Sequence, residues 1–258
     1  MPLSEVHNID CMEYLRSLPD NAFDLACVDP PYGPANAEIS GGGEKRPFNR
    51  FAGGTRFQQY LPTCGTTEAA SPNTGSQPDR RNVGEQVRKK IIGWDEAPSE
   101  EYFKELFRVS KHQIIWGANY FPNMPPTRCF IVWRKLTISE QFTMAMAEYA
   151  WTSFNTNAKV FECAPQGKKS DPRFHPTQKP VELYTWTFRN FAAEGWKILD
   201  THMGSQSSRI AAYALGFDYV GCEIDSEYFD RGCERFDREC RGITTTKQGQ
   251  TIIQPTLF

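Results

Sequence analysis

The amino-acid sequence predicts an α/β fold built on a doubly wound, mostly parallel sheet of Rossmann-like type. Short apolar runs alternate along the chain with helical patterns long enough to act as crossovers. Two of those runs, ending after Val28 and after Leu199, stop in unusual turn chemistry. In such sheets ligands gather beyond the carboxyl ends of strands at the switch point, so two strand ends far apart in sequence can be neighbours in space. A chain of 258 residues supplies one sizeable domain of this kind, and two would be crowded.

Residues 5–28 form a compact start. Asp10 precedes a helical pattern of Met12, Leu15 and Leu18 that stops at Pro19, and Phe23-Asp24-Leu25-Ala26-Cys27-Val28 suits a buried strand. The strand cannot pass Asp29-Pro30-Pro31-Tyr32-Gly33, because two prolines remove two ladder donors. Over 34–92 hydrophobic periodicity is lost, and Gly, Pro, Ser, Thr and Asn alternate with basic residues. That stretch reads either as a disordered surface insertion or as a mobile loop that orders on a polyanion. Order returns at Pro98-Ser99-Glu100-Glu101, with Ser99 capping a helix that runs through Phe103, Leu106 and Phe107 to about Ser110. Residues 113–116, closed by Gly117, and then 129–133 and 148–152 read as strands, and 155–175 as a polar loop. A helix is expected over 181–193 behind Pro180, followed by a strand over 197–200. The turn Gly204-Ser205 opens a helix through Ile210, Ala211, Ala214 and Leu215 that Gly216 closes. Residues 219–223 form the next strand, a last helix runs from about Ser226 to Cys240, and 241–258 reads as a flexible tail.

The formal net charge of −2 gives no support to a nucleic-acid partner, so such a reading rests on local charge. Lys45, Arg46, Arg50, Arg56, Arg80, Arg81, Arg88, Lys89 and Lys90 all fall within 40–90, against Glu44, Glu68, Asp79 and Glu85. This cluster is the candidate grip on a DNA backbone, and Lys168, Lys169 and Arg173 in the segment 134–175 form a second. The eight cysteines form no CxxC pair and several sit in apolar runs, so they read as reduced buried thiols, and no metal site is expected. No apolar run approaches the ~20 residues of a membrane span, and the N-terminus lacks a signal pattern, so a cytoplasmic protein without a membrane partner is expected.

Asp29-Pro30-Pro31-Tyr32 is the sharpest signal in the chain. An exocyclic amine conjugated with an aromatic base is a poor nucleophile. A carboxylate and a rigid backbone carbonyl can accept both its hydrogens and let nitrogen move towards tetrahedral geometry, and prolines fix the carbonyl direction. Tyr32 offers a flat face to a base drawn out of its stack, a contact worth ~1–3 kcal/mol. The alternative is a Pro-Pro turn carrying an exposed tyrosine. In Asp200-Thr201-His202-Met203-Gly204-Ser205-Gln206-Ser207-Ser208, a strand runs into a Gly-Ser turn and a helix, which lets backbone approach a ligand closely. Glu223 ends the next strand, where a carboxylate can accept ribose hydroxyls, and Asp225 follows it. The turn lacks GxGxxG, which disfavours a dinucleotide and leaves a generic nucleotide-binding turn as the rival. His175-Pro176-Thr177-Gln178-Lys179-Pro180 is a constrained loop whose single cation suits a carboxylate, or simply a helix opening with Pro180 in its first turn. Asp10 as a helix cap is the plain reading of its position.

The tetrapeptide resembles the catalytic motif of S-adenosylmethionine-dependent amino-methyltransferases acting on adenine N6 or cytosine N4. The resemblance implies that Asp29 and the Pro30 carbonyl, held rigid by Pro31, bind the amine while Tyr32 stacks on the flipped base. An Asp at the first position resembles the adenine-N6 group more often. Many cytosine-N4 enzymes carry Ser there, and protein-glutamine methyltransferases usually carry Asn. Residues 200–208 resemble the family's cofactor motif, usually Asp-Pro-Phe-x-Gly-Ser-Gly; Asp200, Gly204 and Ser205 match, whereas Thr201, His202, Met203 and Gln206 depart from it. The block 175–180 resembles the segment whose Lys-Pro pair, here Lys179 and Pro180, flanks the cofactor pocket. Asn8-Ile9-Asp10-Cys11 is similar to the segment in which an Asp reaches the cofactor's adenine amine.

The order of these segments is that of the circularly permuted beta group, whose middle usually carries DNA recognition. The resemblance implies a cofactor set of Asp10, Lys179, Pro180, Asp200, His202, Gly204, Ser205, Ser207, Ser208, Glu223 and Asp225 around S-adenosylmethionine, with no metal. It also implies direct methyl transfer to DNA without a covalent enzyme intermediate, in an enzyme of restriction-modification or phage type working in the cytoplasm of a bacterial or phage-infected cell. Adenine N6 is the expected target and cytosine N4 the near alternative. A non-catalytic DNA-binding or clamp-docked module draws its support from the four departures. Residues 114–121 and 150–153 also look like family segments, without an assignable chemistry. Gln254-Pro255-Thr256-Leu257-Phe258 resembles the Gln-x-x-Leu-Phe peptide by which DNA enzymes dock on a bacterial sliding clamp, an incidental apolar terminus being the rival.

Overall fold

The computed structural model describes residues 1–33, 96–141, 144–165, 173–245 and 250–253. Eight strands form one sheet: β1 (Ser4–Asn8), β2 (Phe23–Val28), β3 (Ser110–Trp116), β4 (Phe130–Lys135), β5 (Ala147–Thr152), β6 (Lys159–Cys163), β7 (Lys197–Asp200) and β8 (Asp218–Glu223). Their spatial order is β1-β8-β7-β2-β3-β5-β4-β6, and β5 alone runs antiparallel to its neighbours. The expected doubly wound, mostly parallel sheet is therefore the observed one.

Central strand β2 shows why an uninterrupted apolar run belongs there. Phe23, Ala26 and Val28 pack with Leu15 of α1 (Cys11–Ser17) and with Tyr102, Leu106 and Val109 of α2 (Glu100–Val109). Leu25 and Cys27 pack on the other face with Leu183 and Phe188 of α3 (Val181–Phe191) and with Ala211 and Ala212 of α4 (Ser207–Ala214). A strand covered by helices on both faces has no polar side to alternate with. Asp10, Ser99 and Asp225 cap α1, α2 and α5 (Ser226–Phe236) by accepting first-turn N–H groups. Pro180 is the N-cap of α3, one place before the first-turn position read from sequence.

Chain connections set the site. From β2 the chain proceeds through α2 to β3 on one side, and from β7 it proceeds through α4 to β8 on the other. The crevice between adjacent strands β2 and β7, paired at Leu25↔Ile198 and Ala26↔Leu199, is thus the switch point.

Two expectations are corrected, and one strand had no reading from sequence. Within 155–175, read as a loop, Lys159–Cys163 forms edge strand β6 parallel to β4. Ser4–Asn8, polar in sequence, is held as edge strand β1 by its ladder to β8. The tail from 241, read as flexible, contains an antiparallel ladder of β9 (Ile243–Thr245) and β10 (Thr251–Ile253). Among the described residues no helix is long and apolar enough to cross a membrane. Residues 34–95, 142–143, 166–172, 246–249 and 254–258 lie outside the described residues. With them lie the whole of the basic insertion 34–92, its candidates Lys45, Arg46, Arg80, Arg81, Arg88, Lys89 and Lys90, the pair Lys168 and Lys169, and the clamp-like terminal peptide.

Candidate active site

Four parallel strands end on one edge of the sheet in the order β1, β8, β7, β2, which lines up Asp10, Glu223, the Gly204 turn and Asp29. At the usual spacing between strands this row spans about 14 Å, room for an extended nucleoside with an amino-acid tail.

Asp29 leaves β2 where Pro30 and Pro31 end the ladder. Its Oδ1 accepts a hydrogen bond from the Tyr32 hydroxyl at 2.7 Å, and its Oδ2 is bonded to Lys179 Nζ. The Tyr32 ring lies against Gly117, at whose φ of +69° a Cβ would come within 2.0 Å of Tyr32 Cε1. Tyr120 stacks on the ring with centroids 4.9 Å apart, and Phe121 meets it edge-on at 6.2 Å. Residues 114–121, to which sequence reasoning attached no chemistry, thus build the seat of Tyr32. The signal was Gly117 itself, directly after an apolar strand run.

Lys179, which the resemblance placed beside the cofactor, is buried and spends its ammonium inside the protein. Besides Asp29 it lies 3.3 Å from the Tyr32 hydroxyl and 3.1 Å from Glu148 Oε2, the latter an ion pair off the axis of a hydrogen bond. Glu148 Oε1 pairs in turn with buried Lys135 at 2.5 Å. Burial opposes the charge of Lys179, but the Asp29 and Glu148 carboxylates outweigh it and hold its pKa above the ordinary range. Burial likewise opposes ionisation of Glu148, and the two lysines overcome it and bring its pKa down. At Asp29 burial prevails over Lys179, and the pKa is raised. Glu148 and Lys135 carry no sequence signal, because strand pairing and not a motif brings them here.

The Gly204 turn is tied by Asp200, which is buried and accepts from the His202 N–H at 3.1 Å and the Ser208 hydroxyl at 2.6 Å. Gly204 has a φ of +48°, and a Cβ there would come within 3.1 Å of the His175 ring. The loop 175–180 therefore bridges both strand ends, with His175 over the Gly204 turn and Lys179 on Asp29. Glu223 accepts from the Gly204 N–H at 2.8 Å and from the Asp225 N–H at 2.9 Å. Asp10 caps α1 through Oδ1, at 2.9 Å from Met12 N and 3.1 Å from Glu13 N.

Several expected cofactor contacts are committed elsewhere. Ser205 and Ser207 bond each other at 3.1 Å, and Arg235 donates to the Ser205 carbonyl and the Ser207 hydroxyl. Ser208 serves Asp200 and Tyr219. These hydroxyls turn into the core because α4 buries its first turn, so only their backbone can face a ligand. The His202 ring contacts Thr201 Oγ1 at 2.9 Å and Cys11 Sγ at 3.9 Å, and burial lowers its pKa to about 4. Asp225 caps α5 at 3.1 Å from Tyr228 N.

The residues present fit S-adenosylmethionine: the strand-to-helix turn at Gly204, the Glu223 carboxylate beside it, and the Asp29 carboxylate across the crevice, all on one edge of the sheet. Among the described residues no cluster could hold a metal ion.

The DNA methylase family N6_N4_Mtase matches residues 98–234, more than half of the chain. The chain is 25% identical to the Type II methyltransferase M2.DpnII of Streptococcus pneumoniae, over 91% of this chain and 89% of that protein. It is 22% identical to the Type II methyltransferase M1.MboII of Moraxella bovis, over 90% and 95% respectively. Among solved structures it resembles the cytosine-N4-specific PvuII DNA methyltransferase with a TM-score of 0.51, 11% identity and coverage of 90% and 86%, a likeness of fold. The chain belongs to the N6_N4 family of DNA methylases, S-adenosylmethionine-dependent amino-methyltransferases.

Proposed function

We propose that the protein methylates the exocyclic N6 of adenine in DNA. The observation that carries this reading is the Asp29 carboxylate at the switch point, one strand away from the Gly204 turn, with the Tyr32 ring beside it. A carboxylate at the head of the tetrapeptide, where many cytosine-N4 enzymes have Ser, favours adenine.

S-adenosylmethionine supplies, when bound, a methyl group activated by a sulfonium. The Gly204 backbone, Glu223 and Asp10 are proposed to hold it. The target base has to leave its stack to reach the crevice, and Tyr32 is proposed to stack on it. Asp29 accepts one amine N–H, for which Oδ1 keeps a lone pair beyond the one used by Tyr32, and the Pro30 carbonyl accepts the other. The nitrogen lone pair is then freed from the ring, and the proton shed by the methylated amine passes to Asp29. The departures Thr201, His202, Met203 and Gln206 all have packing or hydrogen-bonding partners in the protein, which supports reading them as parts of an intact turn. DNA grip by the basic residues of 40–90 and clamp docking by residues 254–258 are proposed on their sequence alone. Capture on immobilised clamp by the full chain and not by residues 1–253 tests the docking.

The deciding experiment gives the full chain labelled S-adenosylmethionine and duplex DNA and resolves the nucleosides after digestion. Labelled N6-methyladenine is expected, abolished in Asp29→Asn, which keeps the side-chain volume beside Lys179. Labelled N4-methylcytosine overturns the choice of base, and no labelled base overturns the reading altogether.

A further inference from the structure

We propose that Glu148 is a positioning residue for methyl transfer: from β5 it shares the Lys179 ammonium with Asp29 and so limits how far that cation neutralises the carboxylate that receives the amine. This rests on the amine-acceptor reading of Asp29.

The groups form an alternating chain of charge, Asp29–Lys179–Glu148–Lys135, running from the switch point into the antiparallel part of the sheet. Lys179 and Lys135 are each 5% exposed, Glu148 lies 3.1 Å from the first and 2.5 Å from the second, and Asp29 closes the chain. The pairing of Glu148 with Trp133 on β4 places Glu148 within reach of Lys135, two residues further along β4. Two carboxylates and two ammoniums balance, yet a buried ionic chain stabilises a fold no better than apolar side chains of the same volume. Its use lies in the site. Held by Asp29 alone, Lys179 would form a closed pair and leave that carboxylate a weaker acceptor; a second carboxylate across the ammonium divides the attraction.

Asp29 is faced by Lys179, Tyr32 and Glu148, with Cys27, Tyr184 and Asp200 within electrostatic reach, and Glu148 by Lys179, Lys135 and Arg173. Within this set Glu148 raises the pKa of Asp29 and Lys179 lowers it.

The test is the acid limb of kcat/KM for DNA, which reports groups of the free enzyme, in the wild type, Glu148→Gln and Lys135→Gln. Glu148→Gln removes a negative charge beside Asp29 and should move the limb about half a unit to lower pH. It should also cut kcat roughly tenfold with the KM for S-adenosylmethionine unchanged, and Glu148→Asp should restore part of the loss. Lys135→Gln leaves Glu148 to draw harder on Lys179 and should move the limb upward. A purely structural Glu148 would lower the yield of folded protein and move neither limb. Limbs that coincide with the wild type's in an active enzyme overturn the inference; should Glu148→Gln fail to fold, Lys135→Gln decides alone. A wild type that methylates no base amine overturns the reading of Asp29 instead.

Discussion

Replacing Gly117 by Ala should disable methyl transfer in the protein that still folds. Two costs arise. The left-handed backbone at φ +69° penalises any Cβ by roughly 1–2 kcal/mol. The added carbon would also lie 2.0 Å from Cε1, 2.4 Å from Cζ and 2.6 Å from Cδ1 of Tyr32. Carbon atoms settle about 3.5–4.0 Å apart, so the ring must withdraw by about 1.5 Å. It has little freedom to do so, because Tyr120 covers it and its hydroxyl is 2.7 Å from Asp29. A displacement of that size at a reacting centre costs on the order of 10²-fold in rate, or about 2.7 kcal/mol of barrier. Gly216 is the natural control: its φ is +79° and nothing lies within 4 Å of a Cβ there. Gly216→Ala therefore carries the backbone cost without the collision. Urea unfolding should show Gly117→Ala losing more stability than Gly216→Ala, by roughly 1–3 kcal/mol for the collision, and calorimetry should show both folded variants binding S-adenosylmethionine as the wild type does. Only Gly117→Ala should lose kcat on DNA. A Gly117→Ala protein that turns over within threefold of Gly216→Ala would refute the assignment of Tyr32 to the base.

Two further predictions concern the Gly204 turn and the basic insertion. Burial pushes Asp200 up to about 7, above its value of ~3.9 in an unfolded chain, so its contribution to stability is complete below about pH 4 and lost as pH rises through 7. Burial lowers His202 to about 4, so its contribution is complete above about pH 6.5 and lost as pH falls through 4. The two slopes oppose each other, and Asp200→Asn should expose a stability that rises with pH between about 4 and 6.5; urea unfolding that shows the wild-type slope in the variant counts against it. Changing Arg88, Lys89 and Lys90 to Gln should weaken DNA binding at low salt and reduce the log–log salt slope by about 2–3, with S-adenosylmethionine affinity unchanged; an equal loss of cofactor affinity would place these residues at the cofactor instead.

The sheet and its switch point were legible because they follow from local signals. Pro30 and Pro31 must end β2, the apolar 23–28 run must be covered on both faces, and alternating helices must carry the chain over a parallel sheet. That reasoning also brought Asp29 and Gly204 to adjacent strand ends although 175 positions separate them in sequence. Strands β1 and β6 were illegible for the complementary reason. Each is an edge strand of five residues with polar positions, and its stability comes from a neighbour distant in sequence: β1 from β8, β6 from β4. Side-chain direction at the site escaped in the same way. That Lys179 would face Glu148, or that Ser207 would face Arg235, depends on long-range packing that no spacing encodes.

Gln206 shows how a departure from a motif acquires its physical reason only in three dimensions. It stands where the family pattern has glycine, and its φ of +60° explains that preference. A non-glycine residue there costs roughly 1–2 kcal/mol. The side chain returns this through buried contacts: its amide donates to the Phe229 carbonyl at 3.2 Å and its oxygen accepts from Arg209 at 2.8 Å. Room for it exists because α5 carries Gly232, where a Cβ would come within 2.5 Å of Gln206 Nε2. The strained residue and the space it needs lie on different elements, so neither alone is intelligible. An isolated reading of Gln206 suggests a decayed turn; the pair describes a turn whose missing glycine has been exchanged for a buried amide that ties α4 to α5 beside Gly204.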